Sequence, residues 1–209
     1  MDFDFMFQLP FETVSMYLVA IINIVTAGRF VYLIKKGRIK PALAMWLFFL
    51  LAIATSLITY IKDADYSVLN NILNTTDLFL AVSVTVAILL YGDKSSRFNR
   101  FDLTCLGLVM MILIFWFFTG AHFITNLLIQ AILVIAYFPV LQRMVTLKMN
   151  TESFTGWIGM LLAAIVSLFS LKGTLAMVYS YRAIICITLL LLIMIYFEIK
   201  AKNRLKVLQ

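Results

Sequence analysis

The sequence predicts an all-α polytopic membrane protein, a single membrane domain over residues 1–209 with seven transmembrane helices, the amino terminus outside and the carboxyl terminus in the cytoplasm. Composition, the spacing of the apolar runs and the alternation of charge between them carry that expectation. Of the 209 residues, 64% are hydrophobic and 13% charged, and the mean hydropathy is +1.03. Soluble domains carry about a quarter charged residues, so the bilayer is the solvent to reason with. The apolar runs are joined by short loops, which leaves no room for a soluble catalytic module.

A spanning helix needs about 20 mostly apolar residues. Runs of that kind cover Thr13–Ile34, Ala42–Ile61, Val68–Tyr91, Phe101–Thr119, Phe123–Gln142, Phe154–Leu171 and Leu175–Phe197. The first is preceded by Asp2 and Asp4 and begins beside Glu12 with no basic residue near. It therefore lacks the positive start of a cleavable signal peptide and is expected to remain in the mature protein. Lys35, Lys36, Arg38 and Lys40 separate the first run from the second, whereas Lys62, Asp63 and Asp65 separate the second from the third. Lys94, Arg97 and Arg100 follow the third run, Arg143 and Lys148 the fifth, and Lys200, Lys202, Arg204 and Lys206 the last. The positive-inside rule puts these basic loops in the cytoplasm. Thr119–His122 is short enough that the fourth and fifth runs could form one bent pair, and the adjacent Trp116, Phe117 and Phe118 suit an interfacial belt. The net charge of +7 then reflects topology and attraction to anionic membrane lipids. No nucleic-acid partner is expected, because no basic patch is interleaved with aromatic residues on a soluble face. Cys105 and Cys186 both lie within apolar runs and read as small hydrophobes.

An internal repeat divides the runs. Gly28 precedes Trp46 by the same interval that separates Pro139 from Trp157, and GRFVYLIKKGRIKPALAMW aligns with PVLQRMVTLKMNTESFTGW as breaker, basic loop and tryptophan. This predicts a 3+1+3 parallel-repeat arrangement: a first three-helix repeat over 13–91, a linker helix over 101–119 and a second three-helix repeat over 123–199. Parallel repeats related by an axis along the membrane normal are known among transporters.

The stretch AYFPVLQRMVTLKMNTESFTGW, residues 136–157, resembles the PQ-loop signature of the SWEET and PQ-loop transporter families, with Gln142 three positions after Pro139 and Gly28 at the corresponding place in the first half. GRIKPALAMWLFF is similar to a Lys-Pro-to-Trp segment of bacterial membrane proteins of this topology, and the expected location is the bacterial cytoplasmic (inner) membrane. The resemblance implies two three-helix bundles facing a central cavity and moving solute by alternating access. Pro139 and Gly28 are the hinge candidates, since proline removes a backbone hydrogen bond and clashes with the preceding turn; a static kink filled by neighbouring helices is the plainer alternative.

Polar groups inside a membrane are costly, and each marks a functional hypothesis. Asn70, Asn74, Asp77, Ala81 and Thr85 recur every three or four residues along one face of the third helix. Asp77 lies about two turns in from the outer end. Arg182 lies at similar depth on the seventh helix, beside Tyr179 and Tyr181, and the two charges are expected to form a salt bridge or share a ligand. Asn23 and Thr26 on the first helix, with Asn126 and Gln130 on the fifth, extend the candidate substrate-binding set. Thr55, Ser56, Ser167 and Ser170 read as helix-to-helix contacts, and Arg29 as a residue that snorkels to the cytoplasmic face. Trp46 and Trp157 are either interfacial anchors or rings that stack on a flat solute.

No metal or cofactor is expected: His122 is the one histidine, in a short outer loop, with no cysteine cluster beside it. The last run has no lysine for a Schiff base, and neither a nucleotide-binding glycine loop nor a nucleophile elbow occurs. An enzyme is therefore not expected. The leading expectation is a secondary transporter or facilitator for a small polar solute; the alternative is a non-transporting scaffold or receptor subunit. Either class allows a homo-oligomer or a partner membrane protein. A wet central cavity lined by Asn74, Asp77 and the fifth-helix polar residues favours transport, and a dry centre favours the scaffold.

Overall fold

The computed structural model describes residues 11–92 and 100–207, with the side chains of residues 101, 102, 105 and 202–207 outside that description. Asp2, Asp4, Lys94 and Arg97, and the side chains of Cys105, Lys202, Arg204 and Lys206, thus lie outside the described residues. The helices are α1 (Phe11–Lys35), α2 (Leu43–Ala64), α3 (Ile72–Tyr91), α4 (Arg100–Thr119), α5 (His122–Ile135), α6 (Phe138–Leu147), α7 (Phe154–Ser167) and α8 (Thr174–Val207). Among the described residues there is no strand. Among the described residues, five segments are long and apolar enough to cross a membrane: Phe11–Lys35, Leu43–Ala64, Val68–Tyr91, His122–Leu147 and Thr174–Ala201. Leu106–Thr119 and Phe154–Ser167 are shorter apolar helices, so seven apolar segments fall on the seven expected runs. The chain is an all-helical integral membrane protein.

Local chemistry sets the ends of these helices. Gly37, at φ 64°, lets the chain leave α1: its N–H reaches the Ile34 carbonyl at 2.9 Å and that of Arg38 reaches Leu33 at 3.0 Å, the paired bonds of a Schellman stop. Gly120, at φ 61°, turns α4 into α5, and Trp116 Nε1 donates to His122 Nδ1 at 2.8 Å across that turn, making the fourth and fifth helices an antiparallel hairpin. Before α3, a 3-10 turn over Val68–Asn71 is closed by a reciprocal Ser67–Asn70 cap, and the Asn71 side chain then accepts from Asn74 N at 3.3 Å to start α3. Ser153 caps α7 by accepting from Gly156 N at 3.1 Å. The expected fifth run is broken between α5 and α6. Pro139 has no N–H for the Ile135 carbonyl and its ring crowds that turn, so Tyr137 N bonds Val134 at 3.2 Å in a tighter turn and α6 begins with Pro139 in its first turn. α1, by contrast, runs unbroken through Gly28.

α3 packs between α1 and α2, α1 packs on α7, α2 on α5, and α8 on both α7 and α5; α4 leans mainly on α5. The close approach of α7 to α1 depends on two glycines. A Cβ on Gly156 would lie 2.5 Å from the Phe30 ring, and one on Gly159 would land on the Thr26 hydroxyl. A set of polar side chains is buried within the hydrophobic core, while large apolar side chains cover the outside. Asn23, Asn74, Asp77, Asn126 and Gln130 are buried, whereas Tyr17, Ile21 and Val25 of α1 and Ile185, Leu189 and Leu192 of α8 are exposed. This is the arrangement lipid demands, because polar side chains there find partners only in the interior.

Candidate functional site

Asp77 sits in the middle of α3 with both carboxylate oxygens engaged. Asn23 of α1 donates from Nδ2 to its Oδ1 at 2.8 Å, and the Tyr179 hydroxyl of α8 donates to its Oδ2 at 2.9 Å. Asn23 Nδ2 also donates to Thr76 Oγ1 at 2.8 Å, which ties α1 to α3 at that level. Three helices therefore converge on one buried acid. Arg182, one turn along α8 from Tyr179, lays its guanidinium over that ring at 4.8 Å and donates from Nε to Gln130 Oε1 at 2.9 Å. The expected salt bridge between Asp77 and Arg182 is not formed among the described residues; Tyr179 stands between them, bonded to one and stacked under the other. The reason is local: residues three apart on a helix face one another, so the arginine meets its own tyrosine first.

Gln130 continues the connection. Its Nε2 donates to Ser56 Oγ at 3.0 Å and to Asn126 Oδ1 at 3.1 Å, while Asn126 Nδ2 donates to the Ser56 carbonyl at 2.8 Å and to Thr59 Oγ1 at 2.9 Å. Asn74 meets Ser56 Oγ from the other side at 3.0 Å; hydrogen-bond balance turns its oxygen to that hydroxyl and its nitrogen to the Ile53 carbonyl at 3.1 Å. A polar chain thus runs Arg182, Gln130, Ser56, Asn74 across α8, α5, α2 and α3. Ser56, read from the sequence as an ordinary helix contact, is its hub. Asn70 stands apart, spent on capping Ser67 N at 2.9 Å.

A cavity of about 20 Å³ adjoins the acid, lined by Asp77, Tyr137, Tyr179 and Arg182 among apolar side chains including Phe49 and Met160. That is room for about one water molecule. Asn74, Asn126 and Gln130 do not line it. Tyr137 was not among the expected site residues; the break before Pro139 delivers it there.

Trp46 and Trp157 are fully buried, so neither is an interfacial anchor. Their rings lie 6.2 Å apart, with Phe30 edge-on to both and Tyr137 5.8 Å from Trp157. The loops that follow α1 and α6 fold over them and join where Lys40 N donates to the Thr151 carbonyl at 3.3 Å. Below this seal is Glu152, a buried acid the sequence did not single out. Its Oε2 accepts from Trp157 Nε1 at 3.3 Å, while its Oε1 has no partner among the described residues. Burial pushes the Glu152 carboxyl up to about 7, against the opposing pull of the Trp157 N–H and the Arg143 charge. Arg29 turns its Nε to Thr155 Oγ1 at 3.2 Å nearby.

The opposite end is closed by different means. Tyr60 and Tyr66 stack at 4.9 Å, and the Tyr60 hydroxyl donates to the Lys172 carbonyl at 2.8 Å. Lys172 N donates to the Asn70 carbonyl at 2.9 Å, and its ammonium pairs with Glu12 at 2.8 Å. Comparison of the chain with protein-family models, with curated proteins and with solved structures finds no match.

Proposed function

We propose that the chain is a secondary transporter or facilitator for a small polar solute, built as two three-helix repeats joined by α4 and resembling the SWEET and PQ-loop proteins in architecture. The observation that carries this reading is the buried Asp77–Tyr179 pair with the half-buried Arg182 beside a small cavity, drawn from helices of both halves. The packing supports the repeat. If α1 corresponds to α5 with α6, α2 to α7 and α3 to α8, then the α1–α7 contact maps onto α5–α2, and the α1–α3 and α2–α3 contacts map onto α5–α8 and α7–α8. Orientation follows from charge: the end carrying Lys35, Lys36, Arg38, Arg143 and Lys148 faces the cytoplasm of a bacterial cell. On this reading the aromatic seal is the inner closure and the Tyr60–Lys172 cluster the outer one, and the centre enlarges when one of them opens.

The test is a thermal-shift screen of purified protein against a metabolite library, followed by uptake of each hit into proteoliposomes. A solute of the transported class stabilises the protein, and both its stabilisation and its uptake are lost in Asp77→Asn and fall in Tyr179→Phe. Stabilisation indifferent to both substitutions removes this site from the reading.

The small cavity and the Ser56 network, whose side chains are bonded to one another, favour a second reading, a non-transporting scaffold or receptor subunit whose centre only holds the helices together. That reading predicts binding of no solute and copurification with a partner membrane protein.

A further inference from the structure

The aromatic seal contains a group that the transport reading does not use. Glu152 is only 4% exposed, yet it lies in the loop before α7 rather than on a spanning helix. It immediately precedes the cap residue Ser153, and Trp157 is the fourth residue of the helix, a pair of positions usually bridged by two apolar side chains. Here a carboxyl and an indole N–H take their place. Three buried polar atoms at this end have no partner among the described residues: Glu152 Oε1, Thr151 Oγ1 and Trp46 Nε1. A carboxylate held by one indole bond is a poorly compensated buried charge, whereas the neutral acid needs far less.

We propose that Glu152 is a proton-binding site that latches the seal: the protonated carboxyl keeps Trp157 packed on Trp46 and Phe30, and loss of the proton drives the carboxylate out toward solvent and frees the indole. The charge that acts on it is that of Arg143 of α6, whose field favours the carboxylate; Arg29 of α1 is held by Thr155 and the Lys40 backbone joins Thr151, both close to Glu152 in the chain. All three are basic, so the loop surface into which a carboxylate would emerge carries positive charge. Trp157 is bound by Glu152, but the equivalent Trp46 has Pro41 at the matching position, so the latch belongs to one half alone.

Tryptophan emission tests this without any transport assay. The full chain carrying Trp116→Phe, which leaves Trp46 and Trp157 as the emitters, is placed in lipid nanodiscs and titrated from mildly acidic to mildly alkaline pH. The expected result is one transition with a midpoint near 7, with emission moving to the red and acrylamide quenching rising as the proton leaves. Glu152→Gln abolishes the transition and holds the low-pH spectrum throughout. Glu152→Asp, which keeps a proton but shortens the reach to Trp157, moves the midpoint. Asp77→Asn leaves the transition in place, which separates this site from the central one. A flat titration of the starting protein, a transition that persists in Glu152→Gln, or an unmoved midpoint in Glu152→Asp overturns the proposal.

Discussion

Single residues decide how near the helices come. Gly159 faces Thr26 with no space for a methyl group, and Gly156 faces the Phe30 ring. Gly159→Ala is expected to destabilise the protein by about 1–3 kcal/mol, the usual cost of overpacking a filled interior, read as a lower midpoint in detergent thermal unfolding. Gly28→Ala, where nothing approaches, serves as the control and leaves the midpoint unchanged or raised. Residue-level reading of the sequence found Asn74 and Asp77 because a spacing of three and four puts polar groups on one helical face. It misplaced Asn70, since the 3-10 turn before α3 has a different angular step and rotates that side chain out of line. It passed over Glu152 because an acid in a polar loop gives no sign of turning inward; the indole five residues ahead was the one available cue.

At the scale of elements, the sequence runs and the helices agree except where tertiary packing intervenes. The sixth run was expected to reach Leu171, but α7 ends at Ser167 and the chain tightens into bonds from Leu168 to Ile165 at 3.2 Å and Phe169 to Val166 at 3.2 Å. The tryptophans resembled an interfacial belt because an aromatic at a helix start looks the same whether lipid or a folded-back loop covers it. The break before Pro139 was legible, and it carries a prediction. Pro139→Ala supplies the missing N–H but loses the ring's restriction of the unfolded chain, and the two effects oppose, so thermal stability is expected to change by less than about 1 kcal/mol. Proteoliposome uptake of a solute found by the screen is expected to fall if the break is where the second half bends; uptake equal to that of the unsubstituted protein shows that the kink is static.

For the whole molecule, Glu152 links stability to pH. Its carboxyl is raised in the folded state above its ordinary 4.5 to about 7, so the folded protein holds the proton more tightly than the unfolded chain. Stability from this group is therefore fullest below 4.5 and declines as pH rises to about 7. Thermal midpoints measured across that interval should fall with pH in the unsubstituted protein and fall less steeply in Glu152→Gln. The apolar exterior and the number of apolar segments were readable from composition and spacing alone. The Ser56 hub was not, because it depends on which faces of α2 and α5 meet. α1 and α7 touch from Ser15, whose hydroxyl donates to the Val166 carbonyl at 2.6 Å, down to Phe30 and Gly156. If the two halves rock as the transport reading requires, the tightest contact between α1 and α7, Gly159 against Thr26, is the place they would turn about. Along α1 it lies about 16 Å from Ser15 but only about 6 Å from Phe30, at 1.5 Å per residue. On that reading the stroke would be long at the tyrosine end and short at the tryptophans, where the release of a single side chain would do what a wide swing does at the other.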